Sequence, residues 1–123
     1  MSGVKTHKDL DIWKRGIEFV EEIYKATTDF PKDETYGLIS QIRRAGISYP
    51  SNIAEGAARF STKEFIHFLY ISLASLSEIE TQLIIAEKLG YLKEGVLFKE
   101  VEVLRRMTLN FIKYLKSKNP SSH

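Results

Sequence analysis

Histidines and serines are the side chains of this chain that could carry metal, acid–base or nucleophilic chemistry, because cysteine is absent. The three histidines, His7, His67 and His123, lie far apart, so no two have the i, i+4 spacing of histidines that bind zinc from one helix. The paired Glu-x-x-His motifs of a di-iron helical bundle are also absent. A metal-dependent enzyme is therefore not expected, and the sequence predicts no cofactor.

Phosphate loops and nucleophile motifs would indicate other classes of enzyme. Gly90 and Gly95 are not followed by the Lys and the Ser or Thr of a nucleotide-binding loop. The serines Ser72, Ser75 and Ser77 have neither a nucleophile elbow nor a local base. We therefore expect a protein without enzymatic activity.

A strip of basic side chains is the main charged feature. On the last helical segment, Lys99, Arg106 and Lys113 recur every seven residues on the face opposite the core. The flanking basic residues are Arg105, Lys116 and Lys118. From Leu104 to Lys118 there are five basic residues and no acidic one, although the whole chain has a net charge of only +2. These six residues are candidates for binding nucleic-acid phosphates, or they serve only to complement the helix dipole.

A polar stripe runs along the second helical segment. Its members recur every three or four residues and are Gln41, Arg44, Ser48, Asn52, Glu55 and Arg59. One interpretation is a solvated face that includes a Glu55–Arg59 ion pair. The other is that Ser48 and Asn52 hydrogen bond across an interface or to a ligand, because short polar side chains are unfavourable at exposed positions within a helix.

Long helices must position these side chains, because apolar residues recur every three or four positions along most of the chain. The first helix is predicted from Asp9 to about Asp29. Its predicted core residues are Leu10, Trp13, Ile17, Val20 and Tyr24. The second helix is predicted from Asp33 and Glu34 to about Phe60, with a kink where Pro50 interrupts the backbone hydrogen bonds.

The third helix is predicted to begin at the capping box Ser61–Glu64 and to stop at Gly90. The fourth is predicted to begin near Leu97 and to fray after Leu115. Short connections between long helices predict an all-α fold, an antiparallel up-down-up-down four-helix bundle. The predicted bundle comprises residues 9–118, between a disordered leader of residues 1–8 and a disordered tail of residues 119–123.

Composition is typical of one soluble domain, with 123 residues of which 43% are apolar and 28% are charged. No apolar run approaches the roughly 20 residues of a membrane-spanning helix, and the first residues lack the apolar core of a signal peptide. We therefore expect a cytoplasmic protein that has no membrane partner.

Some apolar residues exceed what a single bundle needs. If the predicted core line of the first helix is correct, Ile12 and Phe19 form a second apolar line on the side of that helix. The third helix also carries apolar residues around much of its circumference. Such a surplus predicts self-association, with Ile12 and Phe19 as candidate interface residues.

The segment from Gln41 to Gly56, QIRRAGISYPSNIAEG, closely resembles the signature of the four-helix-bundle proteins encoded by intervening sequences of bacterial 23S rRNA genes. The segments Leu10–Trp13, Phe30–Pro31, Phe65–Phe68, Ser75–Glu78 and Leu89–Tyr91 also match that family, so the resemblance covers nearly the whole chain. This chain has Tyr49 where the family often has Ile, and Ser72 and Ala74 where it commonly has Ala and Gly. The resemblance implies a homopentameric ring and a distant similarity to the accessory variability proteins of diversity-generating retroelements.

Two functions remain open at the level of sequence. The first is a non-catalytic, oligomeric protein that binds structured RNA through the basic strip. The second is a homo-oligomeric scaffold that docks a protein partner and has no role in binding nucleic acid.

Overall fold

The structure, a computed structural model, describes residues 6–118. Four helices account for most of them: α1 is Asp11–Thr27, α2 is Leu38–Ala57, α3 is Thr62–Lys88 and α4 is Phe98–Lys118. Short 3₁₀ turns lie at His7–Asp9 and Lys32–Glu34. Residues 6–118 contain no strand, and the helices pack together as in a bundle, so the prediction of an all-α four-helix fold is confirmed.

The ends of α3 follow the sequence signals. At its start the Ser61 side chain accepts a hydrogen bond from the Glu64 backbone N–H at 3.1 Å. At its end Gly90 has a φ of +79°, a conformation that other residues rarely adopt. The Tyr91 N–H then reaches the Ala86 carbonyl and the Gly90 N–H reaches that of Glu87, each at 2.9 Å. These two bonds form a Schellman motif, which satisfies carbonyls that the helix leaves unpaired.

The predicted leader is partly structured. Thr6 and Asp9 form a reciprocal capping box around the His7–Asp9 turn. The His7 ring packs edge-on against the Trp13 ring at 5.1 Å between centroids. Residues 6–8 therefore belong to the folded part, whereas the rest of the predicted leader and the predicted tail, residues 119–123, lie outside the described residues.

A close approach of α2 and α3 forms the centre of the bundle. A Cβ atom on Gly56 would lie 2.8 Å from the Phe68 Cβ and 3.2 Å from the Phe65 carbonyl oxygen, so only a glycine allows this approach. The Ser72 hydroxyl donates to the Tyr49 carbonyl at 2.8 Å across the same contact. Small residues thus let the two backbones lie nearly in contact.

Tyr49 connects all four helices. Its ring lies against Gly16 of α1, where an added Cβ would be 2.8 Å from two ring carbons. Its hydroxyl is 2.7 Å from the Thr108 hydroxyl of α4, which in turn donates to the Leu104 carbonyl. Its carbonyl accepts the bond from Ser72 of α3. The side chain is completely buried, and this burial raises the pKa of Tyr49 to about 12.

The core face of α1 differs from the prediction. Its buried residues are Ile12, Gly16, Phe19, Ile23 and Thr27, whereas the predicted core residues Ile17 and Tyr24 are each 39% exposed. The close contact between Gly16 and Tyr49 requires the glycine face of α1 to turn inward. The assignment of Ile12 and Phe19 to a subunit interface is therefore wrong, since they are only 4% and 1% exposed within one chain.

Helix α3 is the one helix among residues 6–118 that is long and apolar enough to cross a membrane. Within the bundle its inward face packs against α2 and α4. Ten residues of this face are buried; the first is Phe65 and the last is Ala86. Those features are also typical of the core helix of a soluble protein.

Replacing Tyr49 with Phe tests the central contact. The substitution removes the hydroxyl, and we expect the free energy of unfolding in urea at pH 7 to fall by about 1 kcal/mol. The variant Tyr114→Phe is a control, because that ring is half-exposed and its hydroxyl makes no hydrogen bond among residues 6–118. No loss in Tyr49→Phe, or an equal loss in the control, would contradict this role.

The free energy of unfolding of Tyr49→Phe should also depend less on pH than that of the wild type at alkaline pH. In the unfolded chain Tyr49 loses its proton near pH 10, but in the folded protein it keeps the proton to about pH 12. Its stabilising effect is therefore complete below pH 10 and is lost as the pH rises from 10 to 12, by about 1.4 kcal/mol per pH unit. Urea titrations over this range should show a shallower decline for Tyr49→Phe than for the wild type.

Candidate nucleic-acid interface

The outer face of α4 carries three exposed cations. Lys99, Arg106 and Lys113 are all exposed and make no ion pair or hydrogen bond within residues 6–118. Their orientation follows from the core of α4, because the buried residues Val101 and Leu104 lie on the opposite side. Seven residues of helix separate successive members by roughly 10 Å. We call these three residues the basic line.

The two carboxylates of α4 do not neutralise the basic line, because other arginines hold them. Glu100 accepts two hydrogen bonds from Arg15 of α1, at 2.8 and 3.0 Å, and this pairing raises the pKa of Arg15 above its usual value. Glu102 is paired with Arg105. The basic line therefore presents positive charge to solvent without an acidic partner on its own helix.

Arg105 differs from the basic line in its surroundings. Its guanidinium reaches Glu80 of α3 at 3.2 Å and also contacts Glu102. Only a quarter of its side chain is exposed. Arg105 therefore links α3 to α4, and among the predicted nucleic-acid-binding residues it is the one whose charge is already paired.

Lys116 and Lys118 lie beside aromatic rings. The Lys116 ammonium donates to the Tyr70 hydroxyl at 3.2 Å and lies 5.6 Å from the centre of that ring. The Lys118 ammonium lies 5.7 Å from the centre of the Tyr114 ring. A ring contact holds a cation in place without cancelling its charge, so the two lysines extend the positive surface toward the end of α4.

The middle of the polar stripe is hydrogen-bonded within the chain, between α2 and α3 through Ser48 and along α2 through Asn52. The Ser48 and Ser75 hydroxyl oxygens lie 2.9 Å apart, joining α2 to α3. The Asn52 amide donates to the Ser48 carbonyl at 2.9 Å and to its hydroxyl at 3.0 Å. These side chains are therefore used inside the bundle.

The ends of the polar stripe face solvent. The predicted ion pair between Glu55 and Arg59 is present, with 2.9 Å between its atoms. Gln41 and Arg44 are exposed. Arg44 has no ion pair or hydrogen bond among residues 6–118, so its charge is available to a partner.

Arg43 and Tyr24 form a pair that helical spacing does not reveal, because they belong to different helices. The guanidinium carbon of Arg43 lies 4.3 Å from the centre of the Tyr24 ring. Its Nε donates to the Thr27 hydroxyl at 2.9 Å, and its Nη2 donates to the Tyr24 carbonyl at 3.3 Å. The only signal in the sequence is the adjacent Arg43-Arg44 pair in the segment that carries the family resemblance.

An apolar groove separates the outer faces of α1 and α2. It has a volume of about 350 Å³. Its apolar lining consists of Trp13, Ile17, Val20, Ile47, Pro50 and Ala54. Ile17 and Ile47 are 39% and 44% exposed, which makes this groove the place where the predicted surplus of apolar surface on α1 is found.

One Glu-x-x-His spacing does occur, from Glu64 to His67 at the start of α3. Glu64 takes part in the cap of that helix, and the exposed His67 ring packs edge-on against Phe68. Residues 6–118 contain no group of three or more metal-binding side chains. Glu64 therefore takes part in the helix cap, and His67 makes a ring contact at the surface.

Comparison with known proteins gives one family. A family model described as 23S rRNA-intervening sequence protein matches residues 8–113, which covers most of α1 through α4. A comparison with curated proteins yields no match.

The contrast between neighbouring arginines is testable through stability. Arg105→Gln breaks a partly buried link between α3 and α4, so we expect the free energy of unfolding to fall by about 0.5 to 1 kcal/mol. Arg106→Gln removes an exposed charge with no partner and should change it by less than about 0.5 kcal/mol. Urea unfolding in low salt measures both values. Equal effects of the two variants would contradict the assignment of different roles.

Proposed function

Because the chain belongs to the family of 23S rRNA-intervening sequence proteins, we propose that it is a non-catalytic RNA-binding protein that works as a homo-oligomer. The observation that carries this proposal is the basic line, in which Lys99, Arg106 and Lys113 are exposed and unpaired among residues 6–118. Lys116 and Lys118 add positive charge near its end. The ligand is structured RNA, which the protein contacts through its phosphates rather than its bases.

Oligomerisation supplies the affinity that one chain lacks. Three cations on one helix neutralise few phosphates, and each such contact contributes little at physiological salt. Several copies on one rigid assembly bind the same RNA at a high effective concentration, so weak contacts add up to useful avidity. The family resemblance makes a homopentamer the expected assembly.

The apolar groove between α1 and α2 is the proposed surface for self-association. It replaces the side line of Ile12 and Phe19, which lies in the core. Trp13, Ile17 and Ile47 contribute partly exposed apolar side chains to it. Burial of such a groove against another copy would remove the apolar surface that a single bundle leaves in water.

The proposal also includes an antiparallel up-down-up-down order, with a kink in α2 at Pro50. Gly56 near the end of α2 contacts Phe65 near the start of α3, and Ser48 contacts Ser75 further along. Contacts between α3 and α4 follow the same reversal: Glu80 with Arg105 and Tyr70 with Lys116. Pro50 lies inside α2 and has no N–H to donate to the carbonyl four residues earlier, which supports the kink.

A protein-docking scaffold is the second candidate function. The observation that favours it is the apolar groove, together with the exposed residues Ile84 and Ile85 on α3. In that case the basic line only aids solubility. In either case we propose a cytoplasmic protein without a cofactor, an enzymatic activity or a membrane partner.

Charge reversal on the basic line tests RNA binding. We expect Arg106→Glu with Lys113→Glu to weaken binding of an RNA stem-loop by about tenfold or more at low salt, because two phosphate contacts per chain become repulsive. Fluorescence anisotropy of a labelled stem-loop measures the affinity. Lys63→Glu with Lys88→Glu is the matched control, since it makes the same change of charge at exposed positions on α3. An unchanged affinity in the first variant would rule out this surface.

A single charge in the apolar groove tests self-association. We expect the wild type to sediment as an oligomer at tens of micromolar and Ile17→Glu to sediment as a folded monomer, because burying a charge in an apolar interface is costly. Phe60→Glu is the control, since Phe60 is fully exposed in the turn after α2. A monomeric wild type, or an oligomeric Ile17→Glu, would contradict the proposed interface.

Nuclease treatment separates RNA binding from the scaffold function. The protein is recovered from cells after crosslinking, with and without nuclease. If the protein binds RNA, the RNA recovered with it should be lost on nuclease treatment. If it is a scaffold, one protein partner should be recovered in both samples.

A further inference from the structure

A second positively charged feature lies where α1 ends and α2 begins. It is a pocket of about 430 Å³, a size typical of small-ligand sites. Its lining includes Tyr24, Tyr36, Ile39, Arg43, Arg44 and Ile47. Two arginines and two tyrosines contribute to this lining, and no carboxylate does. The pocket belongs to different helices from the basic line on α4.

The two arginines differ in how many protein groups hold their side chains. Arg43 is held by Thr27 and by the carbonyl and ring of Tyr24, yet its Nη1 donates to no acceptor within residues 6–118. Arg44 is exposed and has no partner among the same residues. One guanidinium is therefore pre-oriented, and the other is exposed without a protein partner in the described part of the chain. A phosphate can accept hydrogen bonds from both.

The aromatic side chains supply a different kind of contact. The Tyr36 side chain is 96% exposed at the pocket, so its ring contributes nothing to the core. The Ile39 and Ile47 side chains give the pocket an apolar lining next to it. A flat aromatic ring beside apolar residues and guanidinium groups fits an unstacked nucleobase that is attached to its phosphate.

The acidic residue that directly precedes the pocket residues of α2 in the sequence, Glu34, makes no ion pair with the pocket arginines. Glu34 lies in the turn before α2, where one oxygen accepts from the Leu38 N–H at 3.1 Å. Its other oxygen accepts from the Tyr91 hydroxyl, also at 3.1 Å, and this bond raises the pKa of Tyr91. Both oxygens of this carboxylate therefore accept hydrogen bonds from groups other than the two arginines.

We propose that this pocket binds one unpaired nucleotide of an RNA loop, with its base stacked on Tyr36 and its phosphate held by Arg43 and Arg44. The inference rests on the proposed RNA-binding function and adds selectivity to it. The basic line contacts phosphates of any stem, whereas the pocket requires a base that is free to leave the helix. The protein therefore prefers a stem that carries an open loop.

Two RNAs that differ only in the loop test this inference. One is a hairpin with a six-uridine loop, and the other is the same stem as a blunt duplex. Anisotropy titrations are run with the full-length wild type, Tyr36→Ala and Arg44→Gln. We expect the wild type to bind the hairpin more tightly, and each variant to lose about five- to tenfold on the hairpin and less than twofold on the duplex.

Two control variants match these changes. Phe60→Ala removes another fully exposed aromatic ring, and Lys63→Gln removes another exposed positive charge. Both should bind the two RNAs as the wild type does. Circular dichroism checks that all variants are folded, which is expected because Tyr36 and Arg44 are exposed.

The outcomes separate the pocket from the basic line. Equal binding of hairpin and duplex by the wild type, with no effect of Tyr36→Ala, overturns the pocket alone and leaves RNA binding intact. Failure of the wild type to bind either RNA overturns the pocket and the proposed function together. As an independent readout, 4-thiouridine in the loop should crosslink to a peptide that contains Tyr36; crosslinks confined to α4 would overturn the inference.

Discussion

The buried side chain of Tyr49 is the contact on which the rest of the bundle depends. Its ring packs on Gly16 of α1 and its hydroxyl pairs with Thr108 of α4, while the backbone carbonyl of the same residue accepts a hydrogen bond from Ser72 of α3. A large side chain with one polar atom fits there only if one neighbouring helix supplies a glycine and another supplies a hydroxyl. The helices cannot rotate independently of one another without breaking one of these contacts.

This constraint determines which faces reach the surface. Because Gly16 must face Tyr49, α1 turns Ile12 and Phe19 inward and leaves Ile17 in the groove beside α2. The same packing of α1 against α2 brings Tyr24 next to Arg43, which forms one side of the pocket at the start of α2. The apolar groove and this pocket are thus consequences of a single register between two helices.

Much of the fold could be predicted from the sequence because helix length, caps and terminating residues are local signals. The cap at Ser61 and the stop at Gly90 follow from local residue types, and the outward direction of Lys99 follows from helical spacing. The buried face of α1 could not be predicted in this way, because two apolar lines on this helix could each face the core. A pattern of apolar residues also does not reveal that a glycine is needed for a close helix contact. The partner of Arg105 on α3 and the pocket beside Arg43 depend on contacts between helices, which no single periodicity contains.

The dependence of RNA affinity on salt tests the central claim most directly. The logarithm of the association constant falls with the logarithm of salt concentration by about 0.9 for each phosphate that a cation neutralises on a duplex. On a duplex, an oligomer that presents several copies of this surface to one RNA predicts a slope steeper than about 4.5, the limit for the five cations of one chain, which are the basic line with Lys116 and Lys118. A slope near zero, or no measurable binding at low salt, would contradict the account.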